Sequence, residues 1–474
     1  MEQHSNVFLN NASEALKNIE KAERRDTSAL LASQLRATAV EEFKGFDDLR
    51  LQVKKVRQHT LNNLDHYLTR FEKEAVYNGN QVHYARDGNE CNSVILDICQ
   101  QHDALRIAKA KSMVTKETGL NSFLQSAGLD VMETDLGEYI LQQAGETPSH
   151  IVSPALHKSA DEIRALFQQK HDLGPRELKK NSDLVTEARQ VMRQHFLQAE
   201  VGIIGANALI AENGYSMLVT SEGSGDLCAT LPKVLIICTT IDRLIPRAED
   251  ASAMSRLLFR SATGQPQACY TSFYSGPRRE GDPSGPLETH FVLLDNNRSN
   301  ILASDYREIL ECIRCGACLN HCPIYTSIGG HAYGSVYPGP IGSVLTPLLT
   351  SLEQSHLLPN ACTSCGRCAE VCPADIPLPD LLRDLRHEEA TQKLSAPRWR
   401  YGLALHTWLA RHPSIYHALS ATGIRMLHWL GRKRGGFAKL PFAKGWTSQR
   451  DFPAPQKSTF MQLYKIKMKN NNER

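Results

Sequence analysis

The sequence predicts an α/β domain, then an α-helical cysteine-rich domain, then a basic helical tail. Three observations predict this. Strand-like and helix-like segments alternate between about residues 80 and 300, as βαβ units around a largely parallel sheet do. One cysteine pattern, C-x2-C-x2-C-x3-C-P, then occurs twice, at 312–323 and 362–373. Finally, residues 393–474 carry 16 Lys/Arg against only Asp451 and Glu473, a local balance of +14 in a chain of net charge +3.

Residues 1–75 are expected to form a helical arm packed on the domain that follows. Segments 13–25 and 37–74 have few breakers and many Glu, Lys, Gln and Leu residues. Ser13 is placed to cap the first helix. Leu61, Leu64, Leu68 and Phe71 recur at helical spacing and give one apolar face.

Residues 76–300 are expected to form the α/β domain. Strands are predicted at 81–85, 105–110, 129–134, 150–152, 201–204, 216–220, 234–238 and 291–295. Helices are predicted at 92–101, 115–127 and 136–143. Two loops invite a functional reading. Lys111-Ser112-Met113-Val114-Thr115 joins a strand to a helix and offers N–H groups and a lysine to an anion; the same Ser and Thr would also serve as helix caps. Thr220-Ser221-Glu222-Gly223-Ser224-Gly225-Asp226 is glycine-rich, yet neither G-x-G-x-x-G nor a P-loop, and reads as a tight turn.

Residues 301–392 are expected to form the cysteine domain, with helices flanking each run and within the 39-residue insert between Cys322 and Cys362. The spacing is that of two-cluster ferredoxins. Three closely spaced cysteines wrap one 4Fe–4S cluster, and the fourth, ahead of a proline, reaches the other cluster. The expected sets are Cys312, Cys315, Cys318 and Cys372 for one cluster, and Cys362, Cys365, Cys368 and Cys322 for the second. Gly316 and Gly366 follow the second cysteine of each run, where a missing Cβ lets backbone N–H groups approach inorganic sulfide. Zinc sites usually use two separated ligand pairs, and disulfide frameworks belong to small secreted chains; neither fits. The other cysteines (Cys91, Cys99, Cys228, Cys238 and Cys269) have no ligand spacing, and Cys238 closes an apolar run.

Residues 393–474 are expected to hold helices at 398–411 and 414–430, with Trp399, Trp408 and Trp429 among Arg and His residues. Docking of these helices on the cluster domain is the favoured reading, with an interfacial membrane helix as the alternative. The +14 balance, set against −11 for the remaining residues, points to an acidic surface, which would be a partner protein, a membrane face or the chain's own acidic body, with a solvated basic tail as the plainer alternative. No signal peptide or membrane span is visible. With free thiols and an oxygen-sensitive cofactor, this predicts a cytoplasmic protein, membrane-associated only through partners or the tail. No nucleic-acid motif occurs. No Rossmann fingerprint, Ser-His-Asp order or paired carboxylates suggest independent catalysis.

Several stretches resemble the lactate utilization protein B family: Lys111 to Thr115, Glu133-Thr134-Asp135-Leu136-Gly137-Glu138, Pro148-Ser149-His150-Ile151-Val152, Pro154-Ala155-Leu156-His157-Lys158, and Gly445-Trp446-Thr447-Ser448-Gln449-Arg450-Asp451-Phe452-Pro453. The resemblance covers nearly the whole chain. It implies an α/β domain of the LUD type, with the sugar-isomerase and CoA-transferase kind of fold, and an α-helical dicluster ferredoxin domain like those of respiratory iron–sulfur subunits. It implies a part in oxidising L-lactate to pyruvate within a complex of three proteins. One partner would be a cysteine-rich oxidoreductase subunit and the other a smaller LUD-domain protein. The family's glycine loop reads closer to T-N-E-G-N-G; here serines replace both asparagines at Ser221 and Ser224. The residues thus suggest an electron-transfer subunit with two 4Fe–4S clusters. The alternative is a cluster-containing sensor or scaffold whose α/β domain binds a small anionic metabolite.

Overall fold

Six strands form an all-parallel sheet, in the order Gln81–Ala85 (β1), Glu288–Leu294 (β10), Val234–Thr240 (β7), Val201–Ile204 (β4), Arg106–Lys109 (β2) and Asp130–Glu133 (β3). The computed structural model describes residues 7–440, 446–447 and 450–472. The strands in chain order are β1 (Gln81–Ala85), β2 (Arg106–Lys109), β3 (Asp130–Glu133), β4 (Val201–Ile204), β5 (Ala208–Ile210), β6 (Tyr215–Thr220), β7 (Val234–Thr240), β8 (Leu244–Ile245), β9 (Tyr270–Tyr274) and β10 (Glu288–Leu294). β4 and β7 are buried along their whole length, as central parallel strands covered on both faces must be. Their apolar side chains feed two cores, one on each face of the sheet.

Residues 216–220, expected in the parallel sheet, belong elsewhere. They lie in β6 of a second sheet, ordered β8-β5-β6-β9, where β6 pairs antiparallel with both β5 and β9. The segment 150–152, expected as a strand, is irregular. His150 Nδ1 accepts hydrogen bonds from the N–H groups of Val152 and Ser153, which therefore do not join a ladder. The helix expected at 115–127 is two helices, Met113–Glu117 and Leu120–Ser126, separated by Gly119 at φ 70°.

The chain divides into two compact units, Met1–Thr391 and Gln392–Arg474. The N-terminal arm is four helices, Phe8–Ala15, Ile19–Glu41, Phe46–Asn62 and Leu64–Tyr77. Ser13 lies inside the first helix; Asn18 caps the second by accepting from Lys21 N–H. The arm clasps more than the neighbouring α/β domain. Arg25 donates to the carbonyls of Thr326 and Ser327, Arg36 to that of Val371, and Arg50 and Lys54 pair with Asp375. Arg57, fully buried, donates to the carbonyls of Asp242, Leu244 and Leu310. It thereby ties the arm to both the α/β domain and the approach to the first cysteine run. The core of the cysteine domain is shared with the arm, since Phe8 and Leu61 pack in one cluster with Leu319, Tyr333 and Leu382.

The second unit holds helices Pro397–Ala410, Pro413–Gly431 and Phe460–Asn472. Trp399, Trp408 and Trp429 are exposed, and the first of these helices has no buried residue. Arg450 stacks on Trp446, while Gly445, Ser448 and Gln449 of the C-terminal stretch lie outside the described residues. Among the described residues, no helix is long and apolar enough to cross a membrane.

Candidate iron–sulfur and ligand sites

The two cysteine runs fold alike. Each C-x2-C loop turns back through a left-handed residue, Arg314 at φ 61° and Ser364 at φ 56°. The turn aims that residue's N–H at the sulfur two positions earlier: Arg314 N to Cys312 Sγ at 3.4 Å, and Ser364 N to Cys362 Sγ at 3.3 Å. Gly316 and Gly366 then adopt φ 76° and 81° and start short helices, 317–320 and 367–370. A non-glycine residue is strained there. The carbonyl of each run's first cysteine accepts from an arginine, Arg243 on Cys312 at 2.8 Å and Arg386 on Cys362 at 2.7 Å.

The sulfurs gather in a crossed arrangement. Cys312, Cys315, Cys318 and Cys372 line one apolar cavity of about 20 Å³ with Ile151, Ile341 and Ile376. Cys322, Cys362, Cys365 and Cys368 line a second, also about 20 Å³. Thus the last cysteine of each run sits with the first three of the other.

A soft all-sulfur donor set suits an iron–sulfur cluster. The spacing also argues against a single ion. Zinc sites usually take their ligands as two separated pairs, whereas each set here joins a closely spaced triplet to one distant cysteine. Burial raises the Cys372 thiol to about 11 and that of Cys368 to about 12, so these sulfurs favour the thiol until a cation compensates the thiolate.

The surroundings of the two sets differ. Cys315, Cys318 and Cys372 are buried, and a Cβ on Gly316 would meet Val152 at 3.2 Å and His150 at 3.3 Å. The α/β domain therefore covers the first loop. In the second set Cys365 is exposed, as are Thr363 and Ser364, and nothing lies near Gly366.

A third cavity, about 250 Å³, opens in the α/β domain. It lies beyond the carboxyl ends of β2 and β4, lined by Ala110 to Val114 and Gly205 to Asn207. This is where the strand order reverses: β2 leads outward to β3, while β4 leads back through β7 to β10. Open α/β sheets bind ligands at such switch points. The Lys111 loop and the Thr220 loop, separate in sequence, meet across it. Ser112 caps the helix that follows by accepting from Thr115 N–H. Lys111 Nζ donates to the Val152 carbonyl, and burial lowers its pKa. Burial, then the charge of Asp135, raises that of Glu222.

Sequence reading missed Arg243, Arg314 and Tyr337 in this lining. Arg314 stacks on Tyr337 at 4.5 Å. Tyr337 in turn donates to Glu117, which is held by Arg298 at 2.8 Å. Arg243 pairs with buried Asp242 at 2.6 Å. An arginine inside a cysteine loop and an Asp-Arg pair ending an apolar strand were the available signals.

Residues 68–294 match the LUD domain family, and residues 308–376 match the 4Fe-4S dicluster domain family. The chain is 41% identical to lactate utilization protein B from Geobacillus sp. (strain WCH70), covering 91% of this chain and 90% of that protein. It is 40% identical to lactate utilization protein B from Bacillus velezensis, covering 92% of each. For lactate utilization protein B from Bacillus subtilis (strain 168) the identity is 41%, covering 90% and 89%.

Proposed function

The chain belongs to the lactate utilization protein B family, an iron–sulfur family of lactate utilization, and from that membership we propose that it relays electrons through two 4Fe–4S clusters within an L-lactate-oxidising complex. The crossed gathering of eight cysteines carries this reading. Cys312, Cys315, Cys318 and Cys372 hold the first cluster, and Cys362, Cys365, Cys368 and Cys322 hold the second. When bound, each cluster supplies one-electron exchange, and lactate oxidation to pyruvate releases two electrons.

The protein's own groups tune and orient the relay. Arg314 N–H and Ser364 N–H donate to cysteine sulfur, which favours added negative charge on the sulfurs. The covered first set faces the α/β domain, and the exposed Cys365 edge offers a place for exchange with another subunit. The expected subunits are a cysteine-rich oxidoreductase and a smaller LUD-domain protein. The basic unit supplies a surface for an acidic partner or a quinone-side membrane face.

Gene deletion and restoration test this. Growth on L-lactate should fail without the chain and return with it. Normal growth of the deletion strain, with no redundant route, would count against the assignment. The sensor reading is favoured by one observation, the 250 Å³ cavity. Tight metabolite binding without reversible electron exchange with the complex would select it.

A further inference from the structure

The 250 Å³ cavity and the first cysteine set share a wall. Ile151, Ile313 and Arg314 line both. Ile313 and Arg314 are the two residues between Cys312 and Cys315, so the cavity reaches the inside of the first cysteine loop. Its volume is below the usual range for drug-sized ligands, which suits a small metabolite.

The chemistry at the shared wall is cationic. Arg243 is paired with Asp242 and the Cys312 carbonyl. Arg314 is not: its Nη1 is buried and has no hydrogen-bond partner, and its plane is fixed by stacking on Tyr337. A buried guanidinium nitrogen without an acceptor is costly unless a ligand supplies one. Lys111 lines the same cavity, opposed by Asp135 and Glu222, the latter shifted toward its neutral form by burial.

We propose that this cavity binds a small organic carboxylate, whose carboxylate pairs with the Arg314 guanidinium, and that its occupancy is sensed at the first cysteine set through Arg314. Planar guanidinium and planar carboxylate match geometrically. The backbone of Arg314 donates to Cys312 Sγ and the same residue lines the cavity, so one residue adjoins both. The inference deepens the relay reading and rests on it for the spectroscopic half of its test; the calorimetric half needs no electron exchange.

The test uses the cluster-loaded full chain under anaerobic conditions. Calorimetry with L-lactate, pyruvate, lactamide and inorganic phosphate should show the two carboxylates binding, with the neutral amide and phosphate failing to compete. Arg314→Gln should weaken carboxylate binding about tenfold or more, the usual consequence of losing a charge-assisted hydrogen bond. Ala262→Trp adds bulk in the cavity lining at a residue outside both cysteine runs. It should block binding while leaving iron and sulfide content unchanged, which separates loss of the site from loss of the fold. Carboxylate binding should also shift the EPR signal that Cys312→Ser removes and leave the other signal in place. No binding of either carboxylate, equal binding of phosphate, affinity untouched by both variants, or an unmoved first signal would each overturn the proposal. The growth phenotype of the deletion strain is independent of all four outcomes.

Discussion

Arg243 Nη1 donates to the carbonyl oxygen of Cys312 at 2.8 Å, which joins the turn after β7 of the α/β domain to the first residue of the first cysteine run. Arg243 is also paired with Asp242, and the Asp242 carbonyl accepts from Arg57 of the arm. Arm, sheet and cysteine loop are thus bound through two adjacent residues. Burial opposes the charge of Asp242, but the surrounding arginines, Arg243 first, hold its carboxyl well below the usual range.

The crossed gathering predicts a crossed mutational result. Cys322→Ser should remove the EPR signal that Cys365→Ser removes, although Cys322 lies in the first run. The intact chain should carry about eight irons and eight sulfides. If Cys322→Ser instead behaved like Cys312→Ser and spared the signal lost in Cys365→Ser, the crossed assignment would be wrong.

Unequal burial predicts unequal lability. Cys365, Thr363 and Ser364 are exposed, whereas three cysteines of the first set are buried. Anaerobic treatment with an iron chelator should therefore proceed in two phases. The signal lost first should be the one that Cys365→Ser abolishes. Simultaneous loss of both signals would refute protection by the α/β domain.

Much of this was legible in the sequence, for reasons that differ by element. The run Val234 to Cys238 is continuously apolar, and only a central parallel strand buries such a run completely. The cysteine spacing encodes its own loop geometry. The two helices Ala160–Lys170 and Asn181–Gln198 went unread, though Ser159 and Glu162 form a capping box that marks the start of the first. Strand propensity misassigned His150 to Val152 because a side chain, His150 Nδ1, took the donors a ladder would use. The shared cavity was illegible because its walls come from Lys111, Glu222 and Arg314, far apart in sequence and joined only by the fold.

Removing the Arg57 side chain should loosen the whole first unit. Arg57→Met leaves the carbonyls of Asp242, Leu244 and Leu310 without their buried donor. It also removes one of the charges that hold Asp242 ionised. Breaking a buried network of this kind costs about 3–5 kcal/mol. Anaerobic denaturant unfolding should show the loss, and an unchanged midpoint would mean that the arm is not fastened here.

Close backbone approach gives a prediction at Gly330. A Cβ there would stand 1.9 Å from the Ser149 carbonyl oxygen, where the Tyr325 hydroxyl also donates at 2.7 Å. Gly330→Ala must push the 149–152 segment away from the cysteine domain. Faster loss of the first-set signal to the chelator should follow, with the second-set rate unchanged. Equal rates in wild type and variant would show that this segment does not seal the first set.

Two buried histidines predict acid sensitivity above the range of the carboxylates. Burial, in each case the largest cause, lowers His157 and His290 to about 4. Glu146 and Ser149 hydrogen-bond His157, with Lys158 and His331 nearby. His290 faces His83, Glu288 and His102. In the unfolded chain each would titrate near an ordinary value of about 6.5. At these two sites the unfolded state therefore binds more protons than the folded one between about pH 6.5 and 4, and their contribution to stability falls as the pH falls through that window; Glu311, raised to about 7 chiefly by burial, acts in the opposite sense but at one site only. The histidines' contribution is fully present above about pH 6.5. The denaturant midpoint, measured anaerobically at pH 7.5, 6.5 and 5.5, should change little over the first step and decrease over the second. His157→Gln and His290→Gln should each flatten the decline. A midpoint independent of pH over that range would show that these imidazoles protonate as readily in the folded protein as in the unfolded chain.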